Sequence, residues 1–365
     1  MKTKNKTVYQ ESLDKGYSRR DFMKLAAMMT AYMGLQSSAI GQVAKALETN
    51  VRPTVIWLHF QECTGCTESF IKTSHPLVAD ILLDTISLDY TETLMATSGE
   101  AAETALHTSL KKNYGNYILL VEGAIPTAND GVYCVIGGRK ATDILEEAAK
   151  GAQAVVTWGS CASNGGVQAA YPNPTGAKPI EKFVSGKPII QVPGCPPIGE
   201  VMAAIITQFI VFGKVPELDG HGRPKAFYGR RVHDTCYRRP YFDAGLFVET
   251  YDDANAKKGY CLYKVGCKGP TTYNACATTK WNEGISYPIQ SGHGCLGCSE
   301  AGFWDVPFYE RIPNVAGAGI EATADKIGAA AAVGVAVGVT AHSVATYIRK
   351  GKIVDKHIKD GDLNN

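Results

Sequence analysis

Eleven cysteines, all of them after residue 60, are the residues whose type and spacing could do chemistry. Cys63 and Cys66 form a Cys-x-x-Cys pair, and Cys161 and Cys195 follow singly, each behind an apolar run. A second group opens at His233-Asp234-Thr235-Cys236 and continues with Cys261, Cys267, Cys276, Cys295 and Cys298. An odd number of thiols in a chain of 365 residues argues for metal rather than a plain disulfide framework. One Cys-x-x-Cys alone is weak, because thioredoxin-like redox pairs and zinc knuckles share it. Four thiolates converging on one place suit tetrahedral zinc or a [4Fe–4S] cubane. The remaining thiol, Cys134 in GVYCVIGG, reads as a small buried hydrophobe.

The elements that must position these residues are legible in the hydrophobic pattern. Between about residues 52 and 229 the chain repeats apolar run, turn and helical stretch. The runs are 55–60 (VIWLHF), 117–122 (YILLVE), 154–158 (AVVTW) and 188–192 (PIIQV), with helical patterns at 141–150 and 200–212. That alternation predicts an α/β domain with a parallel sheet covered on both faces. Its functional loops lie at the carboxyl ends of the strands. Cys63 and Cys66, Cys161 and Cys195 each stand just past one of those ends, so the topology gathers four thiols at one sheet edge. After Gly229 regular patterning fades while Gly, Pro, Tyr and Cys thicken. Such a segment buries too little apolar surface to hold itself, so bound metal is expected to supply part of its folding energy.

Composition removes other classes. Hydrophobic residues at 45% and charged ones at 20% exclude a disordered chain, and a net charge of +2 gives no footprint for a nucleic-acid partner. Both ends read as targeting segments outside the fold. Ser18-Arg19-Arg20-Asp21-Phe22-Met23-Lys24, an apolar stretch from residue 25 to about 35 and Ala44-Lys45-Ala46 resemble a twin-arginine signal over residues 1–46. Residues 327–348 carry no formal charge, and at 1.5 Å per residue they span about 33 Å, enough for a bilayer. Arg349, Lys350, Lys352, Lys356 and Lys359 follow, which predicts a cytoplasmic tail at 349–365.

Taken together, ECTGCTESF at 62–70, GSCAS at 159–163, VPGCPP at 192–197, RRVHDTCYRRPYFDAG at 230–245, GYCLYKVGCKGPTTYNAC at 259–276 and GHGCLGC at 292–298 resemble the small subunit of membrane-bound nickel–iron uptake hydrogenases. The resemblance runs from the signal to the C-terminal anchor. It implies a flavodoxin-like domain at 51–229 holding a proximal [4Fe–4S] cluster on Cys63, Cys66, Cys161 and Cys195. It also implies an iron–sulfur domain at 230–312, a linker at 313–326 and a transmembrane anchor at 327–348. In that second domain a distal [4Fe–4S] cluster would use His233, Cys236, Cys261 and Cys267, and a medial [3Fe–4S] cluster Cys276, Cys295 and Cys298. Only Cys134 is then left over. Pro288 stands where a fourth medial thiolate would otherwise be wanted.

The same resemblance implies a heterodimer. A large subunit carries the nickel–iron site and activates H2, while this chain passes electrons to a membrane cytochrome b and quinone on the periplasmic side. Glu62, beside Cys63, becomes a candidate for proton exit, and Lys264, Arg238 and Arg239 candidates for the electron-exit surface. Oxygen-tolerant relatives carry two additional cysteines around the proximal cluster, at the positions that hold Gly65 and Gly166 here. Two other readings compete. A complex I-type small subunit shares the first domain but not the second cysteine group or the signal. A zinc- or disulfide-stabilised periplasmic module would hold no iron.

Overall fold

Runs such as TVIWLH and YILLVE are apolar at successive positions, so they suit strands buried on both faces of a parallel sheet. In the computed structural model, which describes residues 6–33, 35–49, 52–74, 77–312 and 324–361, they form one. The strands are β1 (Thr54–His59), β2 (Ser87–Thr91), β3 (Tyr117–Glu122), a two-residue ribbon of β4 (Val135–Ile136) and β5 (Arg139–Lys140), β6 (Ala152–Trp158) and β7 (Ile189–Val192). The five-stranded sheet has the order β2-β1-β3-β6-β7 with every pair parallel. That is the flavodoxin order, whose crevice opens where the connections reverse, between β1 and β3. Register aligns the carboxyl ends: His59 pairs with Glu122, Glu122 with Trp158 and Trp158 with Val192.

Three N-terminal helices, α1 (Val8–Asp14), α2 (Arg19–Tyr32) and α3 (Ile40–Thr49), precede the sheet. Within the body follow α4 (Gly65–Ile71), α5 (Gly99–Lys112), α6 (Ala141–Gly151), α7 (Gly159–Asn164) and α8 (Gly199–Phe212). One face of the sheet packs with Phe70 of α4 and the apolar α8, the other with Leu106 of α5 and Ile144, Leu145 and Ala148 of α6. Strand β2 and helix α5 escape the sequence reading. SLDYT alternates polar and apolar residues, as an edge strand does, and Asp89 is engaged by Ser109 of α5 and by Asn113 just past its end, at 2.8 and 3.1 Å.

The N-terminal segment departs from expectation. Ser18 caps α2 in a reciprocal capping box with Asp21, which puts Arg19 and Arg20 in the exposed first turn. Behind them Phe22, Ala26, Met29, Val43 and Leu47 are almost fully buried in the same core as α8. The segment is therefore packed on the body rather than free of it, because an apolar stretch attached to a chain with an apolar helix face buries both surfaces together.

Between Gly213 and residue 312 the chain makes only short elements: α9 (Lys225–Tyr228), α10 (Arg239–Asp243), α11 (Ala254–Lys257) and several single turns. Two small cores hold it, around Val232, Val248 and Leu262 and around Phe247 and Tyr263, with Cys236, Cys261 and Cys267 among their buried residues. Arg223, 6% exposed, ties it to the first domain through Asp219 at 2.8 Å and Glu300 at 3.1 Å. The expected linker falls mostly on residues 313–323, outside the described residues. Then α12 (Ala324–Gly361) runs as one helix whose segment Gly328–Lys350 is long and apolar enough to cross a membrane. Val333, Val335, Val337 and Val339 stand exposed along it, more than 60% each.

Candidate metal centre: three thiol groups in a row

The first group forms where the strand ends meet. After β1 the chain turns through Cys63 and Thr64, which takes a left-handed conformation at φ 65°, and α4 begins at Gly65. Cys66 is 7% exposed in the first turn of α4, and Cys161 is 9% exposed in α7 directly behind β6. Cys195 follows β7 in the VPGCPP loop and is exposed, as is Cys63. Gly159 holds α7 against α4: a Cβ there would lie 2.3 Å from the Cys66 sulfur, at φ +87°. Burial pushes the Cys66 thiol far up and Cys161 to about 12, and the neighbouring thiols of the group add to both shifts. Sulfurs in such surroundings become thiolates only when a cation takes the proton's place.

The second and third groups are built by loops. Cys276, Cys295 and Cys298 interact with one another, and burial carries Cys298 to about 12. Cys236 lies close enough to Cys261 to act on it electrostatically, as does Cys261 on Cys267. The Cβ position of Gly269 lies 3.4 Å from the Cys267 sulfur and 3.8 Å from His233 Cβ, which places the imidazole beside this set. Burial, with Arg239 nearby, lowers His233 to about 4, so it is neutral and able to ligate. Its ring meets Phe242 edge-on at 4.5 Å, and among the described residues neither ring nitrogen has a hydrogen-bond partner.

The groups follow one another in space. Cys298 of the second feels Cys195 of the first, and the Ser160 hydroxyl donates to the Cys298 carbonyl. The Cys295 N–H in turn donates to the Cys267 sulfur at 3.3 Å. All eleven cysteines are free thiols, which removes the disulfide-knotted alternative. Around one zinc at about 2.3 Å per bond, sulfurs would lie roughly 3.8 Å apart. Among the described residues the one set of three or more candidate ligands within 4.8 Å of one another is His59, Glu62 and Glu122, with no cysteine in it. Among the described residues no three thiols therefore meet that single-ion spacing. Cys134 stands apart, half-buried beside the core of the α5–α6 face.

Sequence reasoning missed the polar support beneath the first group. Glu122, 1% exposed at the end of β3, accepts from the Cys66 N–H at 3.0 Å and the Thr67 hydroxyl at 2.7 Å. Burial raises its carboxyl. His59 Nδ1 lies 3.5 Å from Glu122 and 3.7 Å from Glu62, and the Thr64 hydroxyl donates to Glu62 at 3.2 Å. The signal that could have found both is positional: His59 and Glu122 are the last residues of β1 and β3, at the switch point. The expected exit surface needs correction. Lys264 and Arg239 lie near the surface, paired with Glu249 at 2.6 Å and Asp243 at 2.8 Å. Arg238 is buried at 7% exposure, because its methylenes and guanidinium fill the space between Tyr237 and the Tyr260 backbone.

A flavodoxin-type domain joined to an irregular thiol-rich module, with three thiol groups in line, defines an iron–sulfur electron-transfer protein. Residues 228–309 match the family described as NiFe/NiFeSe hydrogenase small subunit, C-terminal, and residues 63–209 that of the 20 kDa subunit of NADH ubiquinone oxidoreductase. The uptake hydrogenase small subunit of Azotobacter vinelandii is 56% identical over 345 residues, 94% of this chain and 96% of that one. The hydrogenase-1 small chain of Citrobacter freundii is 53% identical over 352 residues, 96% and 94% of the two chains. A reduced, active Ni-Fe-Se hydrogenase from Desulfomicrobium baculatum superposes with a TM-score of 0.68 at 36% identity, over 72% of this chain and all of that one. The chain belongs to the family of nickel–iron hydrogenase small subunits. It is the electron-transfer subunit of a hydrogen-oxidising heterodimer and carries iron–sulfur clusters, while H2 activation resides on the large subunit. The match at 228–309 removes the complex I-type reading, since the relationship there stops at the first domain.

Proposed function

We propose that electrons released by H2 oxidation on the large subunit enter at the exposed Cys63–Cys195 end and leave near His233. Cys63, Cys66, Cys161 and Cys195 would hold a proximal [4Fe–4S] cluster. Cys276, Cys295 and Cys298 would hold a medial [3Fe–4S] cluster, and His233, Cys236, Cys261 and Cys267 a distal [4Fe–4S] cluster. Such clusters supply one-electron carriers whose spacing divides a long transfer into short steps. The chain's own residues do the rest. Buried thiols and backbone donors fix the cages, Glu122 ties the Cys66 turn to the sheet, and Trp57 and Trp158, meeting edge-on at 4.6 Å, exclude water beneath it. Glu62, its side chain 11% exposed at the same edge and in contact with His59, would hand protons outward.

The observation that carries this reading is the continuity of the row, Cys195 to Cys298 and Cys295 to Cys267. Twin-arginine export of the folded chain, anchoring by α12 on the periplasmic side of the membrane and delivery to cytochrome b and quinone complete the proposal. Its support is the exposed Arg19–Arg20 turn and the apolar surface of α12. Iron and acid-labile sulfide analysis of the co-purified heterodimer, with paramagnetic resonance, tests it. The expected result is two four-iron centres and one three-iron centre. Absence of iron, or a fourth centre, would refute the assignment.

A further inference from the structure

Arg238 is the one arginine of the HDTCYRRP turn that has lost its water, and its acidic neighbours are already engaged. Asp234 pairs with Arg231 at 3.0 Å and Arg239 at 3.7 Å, and Asp243 with Arg239 at 2.8 Å. Among the described residues no carboxylate lies within ion-pair distance of Arg238. Its Nε donates to the Tyr237 hydroxyl and its Nη1 to the Tyr260 carbonyl, both at 2.7 Å, and the guanidinium stands over the Tyr237 ring at 5.4 Å. Those partners are neutral. A buried cation served only by neutral acceptors carries a large desolvation cost, and native chains place one there when an anion is close. Two of the proposed ligands are close. The Arg238 backbone N–H donates to the Cys236 sulfur at 3.4 Å, and the carbonyl that takes the guanidinium belongs to Tyr260, the residue before Cys261.

A second donor approaches from the other side. Tyr287, 3% exposed, donates its hydroxyl to the Cys236 sulfur at 3.4 Å and meets Tyr237 edge-on at 6.4 Å. Tyr237 in turn donates to the Ile289 carbonyl at 3.4 Å. The Tyr287 hydroxyl therefore reaches the same sulfur that the Arg238 backbone serves.

We propose that Arg238 is the internal counter-ion of the distal cluster and that Arg238 and Tyr287 together set its reduction potential, as positioning residues. The inference rests on the ligand assignment of the preceding section. An added electron makes the centre more negative, so a fixed cation and a hydroxyl donor at its thiolates both favour the reduced form. Both raise the midpoint potential of the outermost centre and draw electrons along the row. Surface cations such as Arg239 and Lys264 are screened by solvent and salt, whereas Arg238 is not.

The test is a redox titration of the purified heterodimer followed by paramagnetic resonance, on the native enzyme, Arg238→Gln, Arg238→Lys and Tyr287→Phe. The expected result for Arg238→Gln is a distal midpoint shifted to more negative potential with the proximal and medial midpoints unmoved. Arg238→Lys should restore most of the native value, and Tyr287→Phe should give a smaller shift of the same sign. An unmoved distal midpoint in Arg238→Gln, an equal shift in Arg238→Lys, or a common shift of all three centres would overturn the proposal. If Arg238→Gln loses iron, Tyr287→Phe decides, since it keeps the ring that packs: no shift there overturns it. Nitrogen hyperfine coupling on the distal signal of the native enzyme checks the ligand assignment separately. Without it the assignment fails and the inference with it; with it and no shift, the inference alone fails.

Discussion

His233 is held neutral by burial and by Arg239, so it can ligate a metal across the working pH range without competing with protons. His233→Ala is expected to slow H2-dependent dye reduction by roughly tenfold or more, the scale on which weakened metal support is felt. H/D isotope exchange, which needs only the large subunit, should persist. Equal loss of both activities would mark the residue as structural. Pro288 offers no thiol, and it stands exposed between Tyr287 and Ile289, which are each 3% exposed. Pro288→Cys should convert the medial centre from three iron to four, seen as disappearance of the oxidised three-iron signal. If the native oxidised enzyme never shows that signal, the medial assignment is wrong. At this scale the cysteines were legible because their chemistry survives without knowledge of the fold. Glu122, His59, Arg238 and Tyr287 were not, because a carboxylate or guanidinium acquires meaning only from what surrounds it once buried.

Apolar runs of five or six residues mark buried strands, and all four such runs in this chain became β1, β3, β6 and β7. Their order and register then deliver three thiol-bearing loops to one edge, as the strand-end rule requires. Strand β2 was illegible because an edge strand half-solvated through Asp89 carries no continuous apolar signature. The N-terminal helices show the opposite limit. A signal motif speaks of where a chain goes, and says nothing of where its apolar half rests beforehand. Phe22, Met29 and Leu47 rest in the same core as α8, where burial removes both apolar surfaces from water. For the segment Gly328–Lys350 of α12 the pattern and the structure agree on a long apolar helix with no buried surface. Ending the chain at residue 312 is expected to leave dye-linked H2 oxidation near the native rate and to move the enzyme from the membrane fraction to the soluble one. Retention in the membrane fraction would show that another surface anchors it.

For the whole molecule, the row of centres sets how many electrons can reach the large subunit when oxygen attacks its metals. Full reduction of O2 to water takes four electrons, and an enzyme that supplies them promptly escapes lasting oxidation. Relatives with six thiolates around the proximal cluster gain a second electron from that centre by remodelling it. Here the two extra positions are Gly65 and Gly166, and the structure leaves little room for sulfur at either. A Cβ at Gly65 would sit 3.2 Å from the Cys63 sulfur, and one at Gly166 2.5 Å from the Cys161 sulfur, at φ +64°. A side chain at residue 166 therefore requires the loop behind α7 to shift, so Gly166→Cys alone is not expected to confer tolerance. With the four proposed thiolates the proximal centre would pass one electron at a time, and the native heterodimer should lose H2-oxidation current in air and regain it on reduction. Film voltammetry with O2 injections measures this directly. Current sustained at air-level oxygen would mean that the required electrons arrive from the medial and distal centres alone, and the two-glycine argument would fall.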